Sequence, residues 1–358
     1  RSERIFVESE IFSGGRITDG TKEEGRGDLM LKPLPGSELA KVIGRYGSQG
    51  SYFAAVPSSD DTILSGRLNL AIDEKLQGQF DEFCKLVNPV WKQRIDQDKN
   101  LAAAEKTARK KIVDLGLEMF LEATDLDAFD AAMEITPTEG GRHRLIAGIR
   151  TADGSKAIEI LKLIPEAEDG LALDTAIETI DDVAIHRLRF TGKAPEALTS
   201  FYGESKELFI ATSPAAVWLA GGEDALESLK ATLLLVKEQP GKPTGEVFTG
   251  RVRLGPMLTH LDDLATETGF DPNHFIGRDP SAASGSSEES GARPGQLLAD
   301  FDWRGVALPG VAKSDLDRIF VSVRQQDGAV HADLRVERGI LQSAGKVLAK
   351  VVGDKLRN

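Results

Sequence analysis

The sequence predicts an α+β fold of two pseudo-repeated halves, each an antiparallel sheet covered on one face by helices. Three observations predict it: short patterns recur in the same order, strands alternate polar and apolar residues, and apolar residues at helical spacing follow them. The clearest repeat is Ile63-Leu64-Ser65-Gly66-Arg67-Leu68-Asn69-Leu70, which returns as Val247-Phe248-Thr249-Gly250-Arg251-Val252-Arg253-Leu254. Phe12-Ser13-Gly14 returns as Phe190-Thr191-Gly192, and Tyr46-Gly47 with Phe53 and Ala55 as Tyr202-Gly203 with Phe209 and Ala211. Thr124-Asp125-Leu126-Asp127 matches Ser314-Asp315-Leu316-Asp317, and a Gly141 turn matches Gly328. The stripe Ala157, Ile160, Leu161, Ile164 matches Ala344, Val347, Leu348, Val351. Each match is weak by itself. Their shared order argues for an internal duplication into residues 1–178 and 179–358, each of ordinary domain size.

Taken in order, the first firm strand places Leu64, Gly66, Leu68, Leu70 and Ile72 on one face and Ser65, Arg67, Asn69 and Ala71 on the other. That period of two belongs to a half-buried antiparallel strand. Phe80, Phe83, Cys84, Val87, Val90 and Trp91 follow at helical spacing, and residues 92–112, rich in Lys, Asp, Gln and Ala, read as a solvated extension of that helix. Thr124 and Ser314 read as caps of helices whose first turns carry acids. Further strands alternate at Leu145, Ala147, Ile149 and at Val330, Ala332, Leu334, Val336. Leu226, Leu229, Leu233 and Val236 mark another helix, within a segment from Ser213 to Gly245 that has no partner in the first copy and is expected to join or cap the halves. Residues 271–296, crowded with Ser, Gly, Pro and acids, read as a flexible loop.

With 41% hydrophobic and 28% charged residues, the 358-residue chain is a globular one, and no apolar run is long enough to span a bilayer. A net charge of −13 excludes a general nucleic-acid binder, because phosphates would be repelled. The single cysteine, Cys84, excludes an intrachain disulfide. The chain opens on Arg1, which fits a leader or anchor removed upstream.

The sequence holds no G-x-S-x-G elbow, Walker loop, H-E-x-x-H, paired C-x-x-C or G-x-G-x-x-G, so neither a catalytic set nor a cofactor or metal site is expected. Counted from Asp125, a calcium loop would place Asp130 at the glycine and Thr136 at the bidentate acid, so that reading fails. His143, His186, His260, His274 and His331 are scattered, where a metal needs ligands that converge. Arg26-Gly27-Asp28 spells an adhesion tripeptide, but a charged glycine loop accounts for it. Arginine is more informative. Arg67, Arg150, Arg251, Arg253 and Arg335, with Arg144 nearby, stand on polar strand faces and together form a candidate anion site for carboxylate or phosphate. Cross-strand pairing with acids such as Asp73 and Asp333 is the plainer alternative. Gly66, Ala147, Gly250 and Ala332 are small on the inward face, which suits close packing or, alternatively, a ligand beneath the sheet.

The ILSGRLNL and VFTGRVRL strands and the TDLD and SDLD segments resemble uncharacterised exported α+β repeat proteins of planctomycete-type bacteria. The resemblance implies an extracytoplasmic setting, periplasmic or secreted, and no established activity. Three functions are carried forward. The first is a non-enzymatic binding or structural scaffold for a protein or polysaccharide, the second a carrier of a small apolar molecule held between sheet and helices. The third is a hydrolase with a cleft site using acids such as Asp60 and Asp61.

Overall fold

The computed structural model describes residues 9–17, 24–139, 142–192, 194, 199, 202–203, 205–239, 241–258 and 316–357. The expected flexible loop at 271–296, the Gly141 turn, His260, His274 and the Ser314-Asp315 pair lie outside them. The elements are β1 (Ser9–Ile17), β2 (Glu24–Pro33), α1 (Glu38–Ile43), β3 (Leu64–Ala71), α2 (Glu74–Gln97), α3 (Ala103–Thr124), β4 (Ala128–Pro137), β5 (His143–Arg150) and α4 (Ala157–Ala167). They continue with β6 (Leu171–Ile180), β7 (Val183–Phe190), β8 (Glu207–Thr212), β9 (Ala216–Gly221), α5 (Ala225–Glu238), β10 (Glu246–Arg253), β11 (Arg318–Gln326), β12 (Ala329–Glu337) and α6 (Arg338–Arg357).

All the described strands join one antiparallel sheet of 12 strands, in the order β1-β2-β12-β11-β10-β3-β4-β5-β9-β8-β7-β6. The α+β class therefore holds, but the expectation of a separate sheet in each half does not. β2 pairs with β12 and β5 with β9, so strands from early and late in the chain alternate across the sheet. The expected division at residue 178 falls inside β6. At the centre β3 pairs with β10, and Gly250 stands directly opposite Gly66. Outward from that pair the order is β4, β5, β9, β8 on one side and β11, β12, β2, β1 on the other.

Helices lie on both faces, which corrects the expectation of one covered face. On β8 and β9, Phe209, Ala211, Trp218 and Ala220 pack with Leu229, Leu233 and Val236 of α5. Their alternate neighbours Ile210, Val217 and Leu219 pack instead with Leu161 of α4. Successive side chains of a strand point to opposite faces, so α5 and α4 sandwich the sheet here. The strands are apolar on both sides at this point, which is what a doubly covered strand requires. The α2–α3 hairpin lies on the α4 side, where Phe120 meets Phe129 of β4 at 5.9 Å.

Three local expectations are also corrected. Residues 92–112 do not extend one helix: α2 ends at Gln97, and α3 runs back from Ala103. The segment is solvated as expected, and its partly exposed pairs Lys110 with Asp96 and Lys92 with Asp114 bridge the two helices of the hairpin. Thr124 ends α3 rather than starting a helix, and its hydroxyl donates to the Leu121 carbonyl at 2.7 Å. A short polar residue competes for backbone groups at either helix terminus, so its type alone does not say which end it marks. Phe53 and Ala55 lie in turns whereas Phe209 and Ala211 lie in β8, so that match joins unlike places.

Candidate functional site: arginines on a strapped sheet face

The face carrying Ser65, Arg67 and Asn69 is not bare. Residues 46–62 run across it as a strap with little regular structure, and strand side chains hold its backbone. Asn69 donates to the Gln49 carbonyl at 2.8 Å, and Arg67 to the carbonyls of Ala54, at 3.1 Å, and Val56. Asp130 accepts from the Ser51 hydroxyl at 2.8 Å and the Tyr52 amide at 2.5 Å. Glu134 accepts from the Thr62 hydroxyl at 2.6 Å. Arg251 and Arg318 donate to the carbonyls of Ser59 and Asp60 at 2.6 and 3.1 Å. An irregular segment leaves its own backbone groups unpaired, and polar strand residues beneath it supply the partners.

These contacts bury two acids on β4. Asp130 is 1% exposed and Glu134 6% exposed. Burial pushes both carboxyls above the usual range, opposed for Asp130 by Ser51, the Tyr52 amide and the charge of Arg150, and for Glu134 by Thr62, the Ser59 amide, Arg67 and Arg144. Neither acid was singled out from sequence. The available signal was their spacing: Asp130 and Glu134 fall on the same strand face as Ala132, in a strand otherwise rich in apolar residues.

Two clefts flank the strap. The first, of about 310 Å³, lies over the β3–β10 centre and is lined by Arg67, Arg251 and Arg335 with Ser65, Thr249 and Ser322. Arg67 stands opposite Thr249 across the strand pair and Arg251 opposite Ser65, so two Ser/Thr-Gly-Arg tripeptides lie antiparallel, side by side. Arg251 stacks on the Phe320 ring at 4.9 Å and meets Asp60 at 3.5 Å. Arg335 donates through Nε to Asp333 at 2.7 Å. Its two terminal nitrogens have no partner among the described residues. Three of the five predicted arginines thus share one cleft.

The other two do not join them. Arg253 donates to Asp317 at 3.1 Å, an acid only 1% exposed that also accepts from the Gly255 amide at 3.0 Å. That pairing is structural, because an unpaired buried acid would be costly. Arg150 lines the second cleft, of about 480 Å³, between the strap and α5. Tyr52, Asp182, Val183, Leu233 and Val236 also line it. Burial raises the Tyr52 hydroxyl pKa, with Asp182 adding to this and a bond to Ser213 and the charge of Arg150 opposing it.

The remaining candidates are dispersed. Asp60 is 89% exposed on the strap and Asp61 is exposed beside it. His186 sits buried beneath β6, accepting from the Ala176 amide through Nδ1 at 3.1 Å and meeting the Thr212 hydroxyl at 3.0 Å. Burial lowers its pKa. Gly66 and Gly250 lie on the face away from both arginine side chains. There the Phe248 ring covers Gly250, so that a Cβ would sit 2.8 Å from it. Among the described residues no group of three or more His, Cys, Asp or Glu is placed to hold a metal. No helix among them is long and apolar enough to cross a membrane.

No protein-family model, curated protein or solved structure matches the chain.

Proposed function

We propose that this chain is a non-catalytic, extracytoplasmic binding protein built from a duplicated unit, and that the seam between the copies binds an anion. Carboxylate or sulfate groups of an acidic polysaccharide are the ligand class. The observation that carries this reading is the antiparallel placement of Ser65-Gly66-Arg67 against Thr249-Gly250-Arg251. Two equivalent segments meeting at a local two-fold axis line the cleft with a pair of hydroxyls and the positive charge of a pair of guanidiniums that also brace the strap, and Arg335 adds unspent donors. Arginine's forked donors match planar anions. The duplication is further supported by the strand order, which runs outward from this pair through a hairpin and then a crossing pair on each side. The resemblance to exported repeat proteins supports the setting.

The test is retention of the full chain on an immobilised uronate or sulfated polysaccharide. With a net charge of −13, unspecific attraction to such a matrix is disfavoured, so retention reports a local site. Arg335→Ala combined with Arg251→Ala is expected to abolish retention, while Arg189→Ala, in the distant β7, leaves it unchanged. Equal retention of all three proteins would mean that the arginines only pair and solubilise the sheet.

A second reading, the carrier of a small molecule, is favoured by the cleft between strap and α5. Its wall of Leu233, Val236 and Val183 faces Tyr52 and Arg150. Its size falls in the usual range for small-ligand sites, about 300–1,000 Å³. Displacement of a solvatochromic dye by an amphipathic carboxylate, lost in Arg150→Gln, would decide for it.

A further inference from the structure

Among the described residues, the three most exposed large apolar side chains, Leu86, Phe83 and Val90, lie on one helix, with Trp91 beside them. Phe83, Leu86, Val90 and Trp91 of α2 are 52%, 71%, 47% and 42% exposed. Residues 83, 86 and 90 follow the spacing of one helical stripe. The opposite side of α2 is already used: Phe80 meets Phe120 of α3 edge-on at 5.4 Å, Cys84 is buried, and Asn88 and Lys92 reach Asp114 at 3.0 and 2.6 Å. A hairpin helix packed on one side needs one apolar face, and α2 carries two. A contiguous apolar surface of this kind marks an interaction site.

Charge identifies the occupant. Glu82 borders the stripe beside Phe83, and Arg94 continues it one turn past Val90, about three turns from Glu82. Neither makes an ion pair among the described residues. Glu74, Asp81 and Glu82 with Lys75 and Lys85 lie in the first half of the helix, and Lys92 and Arg94 with Asp96 in the second, so three acids face two bases in the first half and two bases face one acid in the second. We infer that the stripe docks a second copy of this chain, α2 against α2, antiparallel about a two-fold axis near Val87. In that arrangement Phe83 of each copy meets the Val90 region of the other, and Glu82 of each lies beside the other's Arg94. Such a surface is self-complementary, as an isologous interface must be. A parallel pairing would instead stack like charges. An anionic lipid surface is disfavoured by the net charge of −13 and by the even balance of four acids and four bases on α2, since helices that lie on membranes carry basic polar faces.

Sedimentation velocity of the full chain over a concentration series tests this. A single helix pair lies at the small end of specific interfaces, so a dimer is expected to grow in with concentration rather than be complete at all concentrations. Leu86→Glu should weaken association by about tenfold or more, the effect of a central interface residue. It should leave the melting transition unmoved, because Leu86 is 71% exposed. Glu82→Arg and Arg94→Glu should each weaken the dimer, and the double exchange should restore it. A monomer at every concentration, or a Leu86→Glu protein that dimerises like the parent, would overturn the inference. So would a monomer that sediments with phosphatidylcholine–phosphatidylglycerol vesicles, which would assign the stripe to lipid.

Discussion

Asp130 shows how a single residue links the strap to the sheet. Its carboxyl holds two strap donors while burial raises its pKa, so the folded chain binds that proton more tightly than the unfolded chain does. The corresponding stability is complete below the ordinary carboxylate pKa and is lost as pH rises through the higher folded value. Asp130→Asn keeps an acceptor oxygen for the Tyr52 amide, and its NH2 can donate to the Ser51 hydroxyl oxygen, without the charge. Urea midpoints should therefore show the variant gaining on the parent between mildly acidic and neutral pH, whereas a pH-independent difference would refute the linkage. Gly148 makes a second point at this scale. A Cβ there would lie 2.5 Å from the Phe53 ring and 2.8 Å from Trp218. These rings meet edge-on at 4.7 Å in the core. Gly148→Ala should cost about 1–3 kcal/mol through overpacking, measured by chemical unfolding.

Among the elements, the strap carries most of the chemistry although it lacks regular structure. It is anchored from β3, β4, β10 and β11, which explains why the strands' polar faces are rich in Arg, Asn and acids rather than in small solvated residues. Arg67 is both a wall of the seam cleft and a clamp on Ala54 and Val56. Arg67→Ala should consequently lower stability by about 1–3 kcal/mol, the usual contribution of bonds to a charged group. Amide exchange should speed up at residues 54–56 more than in β3 itself. Unchanged exchange there would mean that hydrophobic anchors, chiefly Phe53, hold the strap without help.

For the whole molecule the decisive feature is interleaving. β2 depends on β12, and β9 on β5, so each half of the chain completes an edge left open by the other. An uncovered strand edge exposes a row of unpaired backbone groups. Fragments 1–178 and 179–358 should each fail to show cooperative unfolding alone and should regain it when mixed, as followed by circular dichroism. A sharp transition in either isolated fragment would show that the halves fold independently.

Period-two alternation and helical spacing are short-range properties, and the residues themselves determined them. The strands at Leu64–Ala71 and Glu246–Arg253, the helices at Ala157–Ala167 and Ala225–Glu238 and the presence of arginines on polar strand faces were all legible before any coordinates. The choice of which arginines converge was not, because Arg67, Arg251 and Arg335 meet only through pairing between strands far apart in the chain. The anchoring role of Asp130 and Glu134 was not legible for the same reason: their partners lie on a strap some 70–80 residues away. Local pattern sets which side of an element is polar. Whether that side faces water, a strap or another helix depends on long-range contacts, and only the tertiary structure decides it.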